Sequence, residues 1–309
     1  MIRIGTRESK LALWQALLVQ TKLSHLSIAS EIVPIKSDGD LKLDQPLYEM
    51  GITGIFTKSL DLALLNNQID IAVHSLKDVP TAYPKGIIPV AFLERENPFD
   101  VLVYKEQFNN KNAKTIATGS LRRKAFWLNK FPNDKVVDLR GNVQTRLEKL
   151  KTSETIDAVI FAYAGLKRCE MFDEIKSFGL KTEELQWMIP APAQGTIVVT
   201  TLEKNQELIK SLEKLNHTQT EIEVTVERDF LKTVEGGCTA PIGAFAFVNN
   251  DSIDLRISVL NITGTKKIEI SFNEAVDNFK TFGEKSGNNC LQNGGKEIIH
   301  EIKQFLNGK

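Results

Sequence analysis

The chain has no run of 18 apolar residues, no net charge, and few cysteines and histidines; each shortage removes a class of protein. Lys and Arg total 39, matching the 39 Asp and Glu, so no global field draws in nucleic acid or an anionic membrane, and any anion site must come from local placement. Without a long apolar stretch no membrane helix is expected. The start, Met1 to Arg7, lacks the apolar core and small-residue cleavage signal of a secretory leader, which predicts a cytoplasmic protein. The three cysteines, Cys169, Cys238 and Cys290, are odd in number and widely spaced, and only four histidines are present. That pattern suits neither a disulfide framework nor a zinc knuckle, so no metal is expected. What remains is a 309-residue chain, 42% apolar and 25% charged, an ordinary globular composition long enough for two or three domains.

Hydrophobic periodicity divides the chain into three series. A strand at Ile2 and Ile4 leads to a helix capped by Ser9 with Leu11, Trp14 and Leu18 on one face. A strand over 31–35, a helix over 56–65 and a strand over 69–73 follow, the last opening into His74-Ser75-Leu76-Lys77-Asp78-Val79-Pro80. A second series holds strands over 101–104, 115–118, 135–139 and 158–162, with helices over 121–128, 143–150 and near Leu166. A strand over 196–201 and a helix over 205–215 come next. Proline-bearing hinges at Glu94 to Pro98 and Met188 to Gly195 suggest that the chain leaves a first domain and returns to it. From about Thr220 a helix, three alternating strands and a terminal amphipathic helix predict a small α+β unit with an antiparallel sheet. The expected division is 1–96 with 195–217, then 97–194, then 218–309.

Arginine is scarce, ten in all, and six of the ten (Arg7, Arg122, Arg123, Arg140, Arg146 and Arg168) fall just after predicted strands or in the helices that follow. Ligands of open α/β sheets sit at those strand ends. Arg122 and Arg123 open a helix, where the macrodipole disfavours cations by about 0.3–1 kcal/mol each, so the pair is expected to hold an anion. The alternative is a solvated helix face paired with nearby carboxylates. Asp78, at a strand end in an apolar setting, suits proton transfer beside a developing cation, or else a simple turn before proline. Cys238 follows Gly236-Gly237, a setting for an accessible loop thiol, although a small buried hydrophobe is the commoner fate of free cysteine. Cys169 and Cys290 are expected to be structural.

Six motifs in order resemble the porphobilinogen deaminase (hydroxymethylbilane synthase) family: Arg7 to Ala16, Asp70 to Pro80, Ser120 to Arg123, Leu139 to Arg146, Ala164 to Arg168 and Glu235 to Cys238. The likeness runs from residue 2 to about residue 245. It implies an α/β protein with two periplasmic-binding-protein-like domains and a small α+β C-terminal domain. The implied transferase of tetrapyrrole biosynthesis joins four porphobilinogen molecules, with loss of ammonia, into linear hydroxymethylbilane. By the same resemblance Cys238 carries a dipyrromethane cofactor through a thioether, with Lys77, Thr118, Ser120, Arg122, Arg123, Arg140 and Gln194 around it. Arg7, Ser9, Arg146 and Arg168 would bind substrate carboxylates, and Asp78 would be catalytic, protonating the departing amine and stabilising an azafulvene-type cation. A monomer passing its product to uroporphyrinogen-III synthase is also implied. The chain departs from the family pattern at Glu49 and Thr53, where cations are usual, at Gly119 in place of serine, and at Ala193 in place of glycine. A non-catalytic two-lobe polycarboxylate binder would explain the arginines without a role for Cys238 or Asp78. A thiol hydrolase would need a base that sequence does not place.

Overall fold

The computed structural model describes residues 1–36, 57–235 and 240–307. Cys238, the departures at Glu49 and Thr53, and the start of the helix expected from residue 56 lie outside the described residues. In chain order the first elements are β1 (Ile2–Thr6), α1 (Lys10–His25), β2 (Ser30–Pro34), α2 (Lys58–Leu65), β3 (Ile71–Ser75) and β4 (Ile87–Phe92). The middle holds β5 (Asp100–Tyr104), β6 (Thr115–Ala117), α3 (Leu121–Lys130), β7 (Lys135–Val137), α4 (Val143–Thr152), β8 (Ala158–Ala162), α5 (Tyr163–Arg168), α6 (Phe172–Ser177) and β9 (Lys181–Glu184). The last third comprises β10 (Ile197–Leu202), α7 (Gln206–Leu212), α8 (Thr218–Thr233), β11 (Ile242–Asn249), β12 (Ser252–Leu260), β13 (Lys267–Ala275), α9 (Phe279–Cys290) and α10 (Lys296–Asn307).

Two five-stranded sheets share one plan, with strand orders β2-β1-β3-β10-β4 and β7-β6-β8-β5-β9. In each, three parallel strands are followed by an antiparallel strand in fourth place. That fourth strand is reached through an inter-sheet connection: β5 follows the link from β4, and β10 follows the link from β9. The two links therefore run between the sheets side by side, and Glu96 N–H donates to Gly195 O at 3.2 Å where they meet.

Strand sequences such as Val101-Leu102-Val103 are apolar on both sides because both sheet faces are covered. Val101 and Val103 pack with Leu147, Leu150 and Leu166 of α4 and α5, while Leu102 packs on the opposite face with Phe126 and Trp127 of α3. On the first sheet Ile4, Val73 and Val199 meet Ala16, Val19 and Leu23 of α1. The buried stripe of α1 is thus shifted from the expected one. Leu11 packs instead against the core of the second sheet, and Trp14 and Leu18 are only partly buried.

The third sheet, β11-β12-β13, is antiparallel, and Ile253, Leu255, Ile257 and Val259 of β12 are fully buried with Val226 and Phe230 of α8. Helix α9 carries no clear apolar period because Gly283 and Gly287 occupy its face toward α8. A Cβ at Gly283 would stand 2.3 Å from Val226 O, so only glycine permits this approach. Cys169 and Cys290 are buried thiols, and burial pushes Cys290 up to about 11.

Candidate active site

The site is built where β3 ends. Ser75 leads into a short 3-10 turn over Leu76–Asp78, and Pro80 stops any continuation. Ser9 Oγ caps α1 by accepting from Ala12 N–H at 3.3 Å, which brings Arg7 and Ser9 to the same strand ends. Arg7, Ser9, Gln15, His74, Ser75 and Asp78 line one cleft of about 60 Å³. His74 is buried in it and held down to about 4 by burial and by the Arg7 charge, so it is a neutral ring at physiological pH rather than a charged anion ligand.

From the turn a polar chain crosses between the sheets. Lys77 Nζ donates to Gln194 Oε1 at 3.0 Å. Gln194 Nε2 donates to Asp100 Oδ1 at 2.9 Å and to Pro98 O at 2.7 Å. Asp100 in turn accepts from Arg122 Nη2 at 2.6 Å and from Arg123 Nη2 at 2.8 Å. Arg123 Nε also donates to Asp100 Oδ1 at 3.1 Å, and the Nη1 groups of Arg122 and Arg123 donate to Ile189 O and Ile160 O. Arg122, Arg123, Asp100 and Gln194 are all buried. Burial raises the Asp100 carboxyl, but the two guanidiniums outweigh it and hold the group well below the usual carboxylate range. The anion expected at the start of α3 is therefore present within the chain itself. Ser120 Oγ caps α3, accepting from Arg123 N–H at 3.5 Å, and Thr118 Oγ1 accepts from Ser120 N–H at 3.2 Å.

Burial lowers the Lys77 ammonium to about 8, opposed by Asp78 and reinforced by Arg123. Arg146 is lowered to about 10 by burial, then by Arg123 and Arg140, and Asp78 opposes the shift. Arg146 Nε donates to Gly141 O at 2.7 Å. Arg140 is half-buried at the adjoining loop, its pKa lowered by burial. Arg168 stands apart from this group. Its Nη2 donates to Gly195 O at 2.5 Å and its guanidinium lies 5.7 Å from the Trp14 ring centroid, at the crossing of the inter-sheet links.

Sequence reasoning missed Asp100, Arg95, Glu227 and Arg228. Arg95 and Glu227 form a buried bidentate pair at 2.7 and 3.1 Å, and Glu227 also accepts from Ala193 N–H and Ala246 N–H at 2.6 and 2.7 Å. A signal existed for both acids. Asp100 begins an otherwise apolar strand, and Glu227 shares a helix face with Glu223 and Phe230, so each had to be buried and each needed a cation.

Two models of one family match the chain: porphobilinogen deaminase, dipyromethane cofactor binding domain, over residues 2–210, and porphobilinogen deaminase, C-terminal domain, over residues 221–292. The chain belongs to the porphobilinogen deaminase family. A porphobilinogen deaminase of Campylobacter hominis is 40% identical over 309 residues, covering 98% of this chain and 99% of that one. Its counterpart in Francisella tularensis subsp. novicida is 42% identical over 269 residues, 86% of this chain and 88% of that one. Among solved structures, an arginine transport-system periplasmic binding protein of Legionella pneumophila covers 69% of this chain and 91% of its own, with 16% identity and a TM-score of 0.39.

The described residues fit the family's dipyrromethane, a group bearing several carboxylates. Lys77, Arg122, Arg123 and Arg146 are four cations set against two carboxylates, Asp78 and Asp100. Arg122 Nε is a buried donor with no acceptor among the described residues. Of two departures from the family pattern, one finds a physical reason. A Cβ at Gly119 would stand 2.8 Å from Leu139 O, so this backbone excludes serine there. Ala193 is fully buried with φ +62°. Its strain of about 1–2 kcal/mol is opposed only in part by one buried methyl, about 0.8 kcal/mol.

Proposed function

We propose that this chain performs the family's reaction in the cleft between its two five-stranded sheets. Porphobilinogen would be condensed there with loss of ammonia, four units giving hydroxymethylbilane. The observation that supports this reading best is the continuous chain Lys77–Gln194–Asp100–Arg122/Arg123, with Asp78 next to its first member. When bound through Cys238, dipyrromethane supplies the pyrrole carbon to which units are added. Lys77, Arg122, Arg123 and Arg140 would hold its carboxylates with Thr118, Ser120 and Gln194, and Arg7, Ser9, Arg146 and Arg168 would take those of the substrate. Arginine's planar fork suits a carboxylate, and each charge-assisted bond contributes about 1.5–3 kcal/mol.

Asp78 has the proton-transfer role. It gives a proton to the aminomethyl nitrogen of porphobilinogen as the C–N bond breaks, its carboxylate then faces the cationic carbon left behind, and it recovers the proton released when the new C–C bond forms. The chain organises this as three units, 1–96 with 195–217, 97–194 and 218–309, a reading supported by the two links that cross at Glu96 and Gly195. No helix among the described residues is long and apolar enough to cross a membrane. We take the protein to be a cytoplasmic monomer that passes its product to uroporphyrinogen-III synthase. Replacing Asp78 with Asn tests the central role. Turnover should fall by about 10²–10⁴-fold with the thermal melt unchanged, and wild-type turnover would remove Asp78 from the mechanism.

A further inference from the structure

Helix α8 holds the Asp78 turn through a residue to which neither the sequence motifs nor the family likeness gives a role. Arg228 Nη1 donates to Val79 O at 3.0 Å and to Leu76 O at 3.4 Å, and Nη2 donates to Pro80 O at 2.7 Å. These three carbonyls bracket Lys77 and Asp78. Leu76 O already accepts from Val79 N–H at 3.1 Å within the 3-10 turn, and a carbonyl has a second lone pair free to accept a further donor. One guanidinium, with five donors in a rigid fork, can serve the three carbonyls at once; a lysine ammonium on a flexible stem does not hold that geometry. The Arg228 guanidinium also lies 5.5 Å from the centroid of the Tyr83 ring, which supports it from outside the turn.

We propose that Arg228 is a positioning residue: by fixing the backbone of the Leu76–Pro80 turn to α8, it sets where the Asp78 carboxyl stands in the cleft. This rests on the proton-transfer role given to Asp78 above. The neighbouring Glu227 fastens the same helix to Arg95 and Ala193 of the two inter-sheet links. Helix α8 therefore ties the turn to the crossing of the links. At about 1.5 Å per residue, the Arg228 clamp lies about 8 Å along the axis from Thr233, where α8 ends.

The test uses the holoenzyme with Arg228→Met and Arg228→Lys, each also combined with Asp78→Asn. Arg228→Met should keep the mass that the cofactor adds to the chain, speed amide exchange of Leu76 to Val79, and lower kcat by about 10- to 100-fold, the cost of misplacing a catalytic group by an ångström or so. The KM for porphobilinogen should stay within about 3-fold, because the interaction lost acts on the transition state rather than on substrate binding. In the Asp78→Asn background Arg228→Met should cost nothing further, since the two act as one unit. Arg228→Lys, which keeps charge and stem, should fold even if Arg228→Met does not, and should show the same pattern at smaller amplitude. Unchanged exchange would overturn the clamp. Faster exchange with unchanged kcat, a loss carried by KM, or an additive loss in the double variant would overturn the positioning role. Full turnover in Asp78→Asn alone would instead overturn the reading of Asp78.

Discussion

Two cationic sites at successive helix starts of the second sheet solve the same problem differently. Arg122 and Arg123, at the start of α3, are buried against a carboxylate of the chain, Asp100, at 2.6 and 2.8 Å. Arg146, about one turn into α4, forms a carbonyl hydrogen bond, and no carboxylate stands within ion-pairing distance of it among the described residues. Burial and the like charges of Arg123 and Arg140 lower it to about 10. A buried cation with its own counterion is fixed in place by hydrogen bonds whose removal is costly, and it offers a ligand its positive field and the one donor left over, Arg122 Nε. A partly buried cation that only the more distant Asp78 offsets pays for its desolvation, and a bound carboxylate relieves that cost.

The largest effect that would break this comparison comes from Asp100. Asp100→Ala leaves two buried guanidiniums without a counter-charge and should lower stability by about 3–5 kcal/mol, read as a shift in the urea midpoint. A loss below about 1 kcal/mol would mean that the pair is solvated. Arg146→Leu should behave in the opposite way. Stability should hold or rise, while kcat/KM for porphobilinogen falls by about 10- to 100-fold, the equivalent of one charge-assisted carboxylate bond. If Arg146→Leu destabilised as strongly as Asp100→Ala, the distinction would vanish.

Lys77 sharpens the contrast through pH. Its ammonium is lowered to about 8, chiefly by burial, against about 10.5 in an unfolded chain. Between those values the unfolded state binds more protons, so this group's contribution to stability increases as pH rises from about 8. Binding runs the other way, because carboxylate affinity at Lys77 is lost with its charge. The hold on the attached primer should therefore loosen above pH 8 and kcat fall several-fold, with no loss of stability from this group, and Lys77→Met should remove that step. A fall in kcat that follows unfolding would contradict the assignment.

Much of the fold was legible because both five-stranded sheets are buried on both faces, so strands such as Val101 to Tyr104 and Ala158 to Ala162 read as short apolar runs. Strands β4 and β9 were missed because Ile87-Ile88-Pro89 and Lys181-Thr182-Glu183-Glu184 carry a proline or charges, which edge strands tolerate. Helix α9 was missed because its packing face is glycine rather than leucine. In the site, scarce arginine at strand ends led to the cleft, and Asp78, Arg7 and Ser9 line the same cavity. Asp100 and Glu227 escaped notice because their partners lie 22 to 132 residues away in sequence, and no local spacing encodes such pairs. The role of Arg228 rests on carbonyl groups, which leave no mark in side-chain pattern at all.

The central claim is that these cations grip a pyrrole primer attached at Cys238 while Asp78 moves protons. Intact and peptide-level mass spectrometry of the purified, active protein tests it most directly. The account predicts a chain heavier by two linked pyrrole units, with the added mass on the peptide containing Cys238. An unmodified Cys238 in fully active protein would contradict it.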